Sequence, residues 1–333
     1  AYPKVNNTNN KIHWEPKADE FYAFRQETPF KVFSDTSLMK GDLLLTPEHL
    51  SGHGTMDLTV ARLKSNEFIY AANSFRADSS SLEINGLSQN EVAVITDNVR
   101  ANVDFDQQNG QFFANEDYTL VEFPETRYIS SLDFFKWDMN QGYLEMGLGN
   151  ESIENSKTFY DSLSGPRYIS MHPMQDSLSF VSPTAYYDYR QGLLNATKVP
   201  YVQVADSRIF PKEGKLTVAK NANIKKLNDA DILAGYETRY YRLYNASIKI
   251  NSKNDYTGSA EYDYVDIAED VYKIRFNEIG VDSGLQSVGN GLISVVDSFR
   301  LSPYFQYQGK VAFASENPDL FFDGGARLTH DCR

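Results

Sequence analysis

Asp133 and Asp138 bracket the run Phe134-Phe135-Lys136-Trp137. Carboxylates beside aromatic rings are the residue types that bind or cleave sugars, because rings stack on pyranose faces while acids move protons. In that chemistry Trp137 is the platform, and Asp133 and Asp138 are the acids. The same residues also spell a strand whose rings cover one sheet face while the acids meet water. The chain has 45 acidic residues, and no second feature selects these two. The strand is therefore the first expectation and the platform its alternative.

Other candidates fare no better. His49 and His53 are four apart, the spacing that aims two ligands at one metal from a helix, but Pro47 and Ser51-Gly52 predict a turn there. Asp104 to Gly110 carries carboxylates two apart and a glycine, as a calcium loop does, without the closing bidentate Glu. Asn109-Gly110 between alternating residues predicts a hairpin instead. Cys332, the sole cysteine, has His330 nearby and no partner for an intrachain disulfide. There is no Gly-x-Ser-x-Gly elbow and no Gly-Lys-Ser/Thr loop, and Gly289-Asn290-Gly291 lacks the third glycine of a dinucleotide fingerprint. The sequence predicts a non-enzymatic chain with no catalytic residue, no metal and no cofactor.

The elements that would position such residues are β in character. The 333 residues include 22 Tyr and 21 Phe against 2 Trp, side chains that suit half-buried pleated faces. A net charge of −13 argues against a nucleic-acid partner, and the densest basic run, Lys220 to Lys226, has three lysines and no aromatics. No run of about 18 apolar residues is present to form a membrane-spanning helix.

Two repeats stand out. Leu50-Ser51-Gly52-His53-Gly54-Thr55-Met56-Asp57-Leu58 returns as Tyr256-Thr257-Gly258-Ser259-Ala260-Glu261-Tyr262-Asp263-Tyr264. Both copies read as a tight glycine turn leading into a strand. Asn221-Ala222-Asn223-Ile224, Asp229-Ala230-Asp231-Ile232 and Asn245-Ala246-Ser247-Ile248 share a second pattern of short polar residue, Ala and Ile, as the rungs of a stacked array do. The polar stretch around 151–166 divides an N-terminal β-repeat segment, 1–150, from a C-terminal one, 167–333. Asp161 to Leu163 and Thr184 to Arg190 are candidate short helices, and the expected interior includes Leu43, Leu45, Leu58, Val60, Phe68, Tyr70, Ile224, Ile232, Ile248 and Ile250. Ala1-Tyr2-Pro3 and Asp331-Cys332-Arg333 look like cuts through a longer sequence.

Three passages carry a resemblance: Met39-Lys40-Gly41-Asp42-Leu43-Leu44-Leu45-Thr46-Pro47, then Phe134-Phe135-Lys136-Trp137-Asp138-Met139, then Phe299-Arg300-Leu301-Ser302-Pro303-Tyr304-Phe305 with Phe321-Phe322-Asp323-Gly324-Gly325. Together they resemble large Bacteroidetes cell-envelope β-repeat proteins and, more distantly, the OstA-type β-jellyroll repeats of lipopolysaccharide transport. The resemblance implies an outer-membrane-associated location in the cell envelope. It also implies partners among envelope proteins or the rest of a longer chain, and a groove that takes lipid. It brings no catalytic residue with it. The expected fold is all-β, stacked short strands in a β-solenoid or elongated β-jellyroll array with little helix. The expected role is a scaffold-like binding segment, with a lipid-binding or transport groove and a carbohydrate-binding or carbohydrate-active module as alternatives.

Overall fold

Alternating apolar and polar residues place most of the described residues in antiparallel strands, and the fold is all-β. The structure, a computed structural model, describes residues 2–86, 91–147 and 165–329. Four strands lead in: β1 (Val5–Asn6), β2 (Asn10–Glu15), β3 (Glu20–Arg25) and β4 (Phe30–Val32). Five long ones follow, β5 (Leu38–Leu45), β6 (Leu50–Asp57), β7 (Ala61–Tyr70), β8 (Ser74–Asn85) and β9 (Val92–Asp104). Short hairpin strands come next: β10 (Asn109–Ala114), β11 (Thr119–Phe123), β12 (Tyr128–Leu132), β13 (Phe134–Asp138), β14 (Tyr143–Gly147), β15 (Arg167–Ser170) and β16 (Ser179–Val181). They continue with β17 (Thr184–Asp188), β18 (Leu193–Thr197), β19 (Val202–Val204), β20 (Ser207–Phe210), β21 (Leu216–Ala219) and β22 (Asn223–Ile224). Long strands return as β23 (Leu227–Ala234), β24 (Tyr241–Ser252), β25 (Asp255–Val265), β26 (Val271–Val281) and β27 (Ser287–Ile293), followed by β28 (Arg300–Ser302), β29 (Phe305–Ala314) and β30 (Phe321–Leu328). Three single-turn 3₁₀ segments are the only helical pieces among the described residues.

The chain packs as two units. The first comprises Ala1–Tyr168, Pro183–Asn195 and Ala219–Asn221, and the second Ile169–Ser182, Ala196–Val218 and Ala222–Arg333. In the first unit the long strands each serve two ladders. The start of β5 pairs with β4 and its end with β3, while β9 pairs with β11 at Ile95 and Thr96 and with β10 from Val99 onward. Hairpins then alternate: β10, β13, β14 and β17 extend one ladder, and β11 and β12 the other. The two ladders pack their inner faces together, as the Phe123 and Tyr187 rings do at 4.8 Å. This is the antiparallel array of the two architectures expected; the ladders are not stacked parallel rungs.

A strand can serve two ladders only if it bends, and the bend is written in glycine, serine and left-handed residues. Gly41 lies opposite Gly54. A Cβ on Gly41 would collide with the His53 carbonyl oxygen, and one on Gly54, at φ +129°, with that of Lys40. The β6–β7 register slips between Gly52 and Gly54, and the β8–β9 register slips around Ser80. Ser65 Oγ donates to the Ser79 carbonyl at 2.6 Å, and Ser80 Oγ to that of Val99 at 3.0 Å, so backbone acceptors freed by the bend are satisfied. Asn98 ends the line at φ 53°.

The second unit repeats the device. Asp229 and Asn245 sit at φ 54° and 47°, and Ala230 faces Ala246 across the slip between β23 and β24. Gly258 is pressed so closely on the Ser247 carbonyl that no Cβ fits. Further slips fall between Gly258 and Ala260 and between Phe276 and Glu278.

These observations correct several expectations. The repeated nine-residue phrase is not a turn: in both copies its glycines lie inside strands, at the bend. The pattern of short polar residue, Ala and Ile marks left-handed corners, a turn between β21 and β22 in the first copy and bulges in the other two, with Asn221, Asp229 and Asn245 all left-handed and every Ala and Ile of the three copies buried. Asn109-Gly110 does close a hairpin, but the loop is residues 105–108, with Gln108 at φ 52°, and Asn109 already pairs with Asp104. Thr184–Asp188 is strand, not helix. Leu58 and Val60 occupy the turn between β6 and β7, and Leu45 is 36% exposed; the other seven expected interior residues are buried. Of the polar stretch at 151–166, residues 151–164 lie outside the described residues, as do Cys332 and His330.

The bend predicts its own mutational signature. Gly258→Ala is expected to destabilise the chain by about 2–3 kcal/mol through backbone collision. Asn245→Val is expected to cost about 1–2 kcal/mol because a β-branched residue resists positive φ, whereas Asn245→Gly costs less. Urea unfolding of the three variants, compared at equal slope, checks this order.

Candidate functional site

The alternation that builds β13 decides the fate of the aromatic–acid run. Phe135 and Trp137 point inward, and Phe134, Lys136 and Asp138 point outward. Trp137 is 1% exposed, pairs with Gly110 on one side and Leu144 on the other, and donates from Nε1 to the Tyr189 hydroxyl at 3.2 Å. Its ring therefore offers no face to a ligand. Asp138 Oδ1 accepts the Gln141 amide at 2.8 Å and fixes the following turn. Asp133 is exposed at the corner between β12 and β13, where its carbonyl accepts the Ala114 amide. The structure does not bring Trp137, Asp133 and Asp138 together as a site. The rings that do reach the outer surface here are Phe113 and Phe134, 4.8 Å apart, with the Arg100 guanidinium 4.9 Å above Phe113.

Asp138 belongs instead to a recurring turn. Asp104 and Asp188 use Oδ1 in the same way, each accepting two amides of the loop that follows. Four residues after each Asp comes a left-handed residue: Gln108, Gly142 and Gly192 at φ 52°, 80° and 63°. The calcium-like run from Asp104 is thus a hairpin loop whose first carboxylate is already engaged. His53 lies in β6, and its Nε2 is 3.7 Å from Asp42. Among the described residues no three His, Cys, Asp or Glu side chains gather as a metal-binding group.

Two buried polar clusters escaped sequence reasoning. In the first unit Glu125 is 8% exposed in the β11–β12 turn, and its Oε1 has no hydrogen-bond partner. Gly86 and Gly192 press on its two carboxylate oxygens, where any Cβ would collide. Its carbonyl accepts the Asn221 amide, and Lys220 reaches the neighbouring Glu91 at 3.2 Å. Burial first, then the Glu91 carboxylate, pushes the Glu125 carboxyl above its ordinary range, with Lys220 opposing. In the second unit Asp206 accepts from the Ser287 amide at 3.0 Å, from the Ser287 hydroxyl at 2.6 Å and from Ser315. Ser207 and Tyr256 complete the cluster around Ser287. Ser207, Ser287 and Ser315 are wholly buried, and the network ties strand ends together.

What the first unit does present to solvent is part of its own inner face. Leu43 is buried, while Phe21 and Leu45, paired next to it across β3 and β5, are 37% and 36% exposed. Ile12 and Trp14 on β2 reach 57% and 58%. Trp14 pairs with Phe21 and Ile12 with Ala23, so the row continues the core side of the ladder beyond the residues that cover it. Among the described residues β2 pairs with β3 alone. This apolar row on an open edge is the candidate functional site. No protein-family profile, curated protein or solved structure matches the chain.

Glu125 gives a pH test. Its carboxyl holds a proton in the folded chain at pH values where the unfolded chain has lost it, so stability falls as pH rises above the ordinary glutamate value near 4.5. Glu125→Gln is expected to remove that fall and to make the chain more stable than the parent at pH 7. Thermal unfolding of both proteins from pH 4 to 8 checks it, and parallel curves contradict it.

Proposed function

We propose that the chain is a non-enzymatic, scaffold-like binding segment of an outer-membrane-associated bacterial cell-envelope protein. The observation that carries this reading is the uncovered row Ile12, Trp14, Phe21 and Leu45 beside the free edge of β2. A partner that adds a strand to β2 satisfies its backbone groups and covers the row at the same time. Other envelope proteins, or the rest of a longer chain of which this is a segment, supply such a strand. The filled interior supports the same reading: Phe112, Phe123, Tyr128, Phe135, Trp137 and Tyr187 are buried to 1% or less and occupy the space between the ladders.

A second reading is a lipid-binding groove, favoured by the same row, whose rings and branched side chains suit an acyl chain as well as a strand. The two readings separate by what stays bound. Native mass spectrometry of the protein extracted from its own envelope under mild conditions is expected to show a defined protein complex. Ile12→Glu with Trp14→Glu is expected to reduce that complex at least tenfold. Retained lipid without protein supports the groove, and recovery of the bare chain overturns both.

A further inference from the structure

The outer face of the long strands in the first unit holds a hollow of a different chemistry from the β2 edge. Alternation turns Tyr70, Phe75 and Val103 inward, where they are buried. It leaves Ile69, Arg76, Asn102 and Gln111 outside, and the register sets them opposite one another in that order across β7, β8, β9 and β10. Ser74, Asp104 and Asn109 form a second outer row two residues further along. Both rows line one hollow of about 560 Å³. The first row runs over three strand spacings, roughly 14 Å.

One end of the hollow is rigidly built. There it meets the β7–β8 turn at Ala71 and the β9–β10 loop at Gln107. Asn73 ties turn to loop: its carbonyl accepts the Phe105 amide at 2.9 Å, and its Nδ2 donates to Asp106 at 3.0 Å. Asp104 Oδ1 accepts the amides of Asp106 and Gln107, and Asn109 Nδ2 donates to Gln107 Oε1 at 3.1 Å. Along the strands the hydrogen-bonding groups are free. Among the described residues the side chains of Arg76, Asn102 and Gln111 make no hydrogen bond or ion pair within the protein.

We propose that this hollow binds a neutral oligosaccharide. Its lining carries one cation, Arg76, and one carboxylate, Asp104, so its charge selects neither an anion nor a metal ion. The strands beneath are paired on both edges, β7 with β6 and β8 and β10 with β9 and β13, so a peptide finds no open backbone to extend. What the lining offers is a set of planar groups that donate and accept. They are the amides of Asn102, Gln107, Asn109 and Gln111, with the Arg76 fork beside them. Sugar hydroxyls donate and accept in the same way, whereas an acyl chain uses none of these groups. Ile69 and Ala71 supply a small apolar patch for the C–H face of a pyranose. The volume is that of a small-ligand site, and the length of the row suits a di- or trisaccharide. This inference is independent of the edge reading above.

The test titrates the purified chain by calorimetry with a panel of neutral trisaccharides: maltotriose, cellotriose, xylotriose and triacetylchitotriose. At least one is expected to bind. Asn102 and Gln111 are exposed and make no internal hydrogen bond, so Asn102→Ala and Gln111→Ala are expected to keep the parent's urea midpoint while each loses at least fivefold in affinity. Lys136 follows Gln111 in the same outer row but lies outside the hollow, and Lys136→Ala is expected to bind as the parent does. The variant with Ile12→Glu and Trp14→Glu is also expected to bind as the parent does, which separates failure of this site from failure of the edge. Three results overturn the proposal: no binding by any member of the panel, affinity unchanged in both amide variants, or an equal loss in Lys136→Ala.

Discussion

The close approach of backbones at the bend is the constraint on which the rest of the molecule depends. Gly41 against the His53 carbonyl and Gly258 against that of Ser247 are contacts that no side chain survives. Without them a strand as long as β8 or β9 stays straight and serves one ladder. With them it folds across a line and serves two, so each unit encloses its own core. The adjoining strands must bend at matching heights. That is why left-handed Asn98, Asp229 and Asn245 and the slipped registers fall where they do. Each bend frees carbonyls from the ladder, and the buried hydroxyls of Ser65 and Ser80 take up two of them.

Once the long strands have opened two ladders, short hairpins can propagate them cheaply. Each hairpin needs a loop that reverses the chain in four residues, and an Asp that accepts amides of its own loop provides one. Asp104 and Asp138 do so at the ends of β9 and β13, and Asp188 at the end of β17. A carboxylate that accepts the amides of its own loop has a structural role in the turn. The chain's abundance of Asp is therefore partly a consequence of its hairpins.

Much of this was legible in the sequence, though not always under the right name. The nine-residue repeat located the bend in both units, yet glycine reads as a turn because chain reversal and close strand contact require the same missing Cβ. The pattern of short polar residue, Ala and Ile located left-handed corners, one turn and two bulges, because positive φ, a tight corner and core filling each select a residue type. The aromatic–acid run was ambiguous for a different reason. With Phe at both 134 and 135, period-two alternation does not say which phase faces the core, and only pairing with Gly110 and Leu144 puts Trp137 inside. Glu125 was invisible because nothing in Pro124-Glu125-Thr126 announces that Gly86 and Gly192 will close over it.

The filling of the interior limits where recognition can occur. A tunnel for an acyl chain needs small residues or a gap along the inner rows, but those rows carry Phe, Tyr and Trp at full burial through the middle of the first unit. Replacing them with a ligand would forfeit about 2 kcal/mol or more of burial for each ring displaced. Binding therefore belongs where the aromatic filling stops or never began. In the first unit that is the row on β2 and β3 where the inner face runs past its cover. That row follows from the alternation of the strands, which packs the inner face of the ladder to exclusion and leaves its last strand to make contacts.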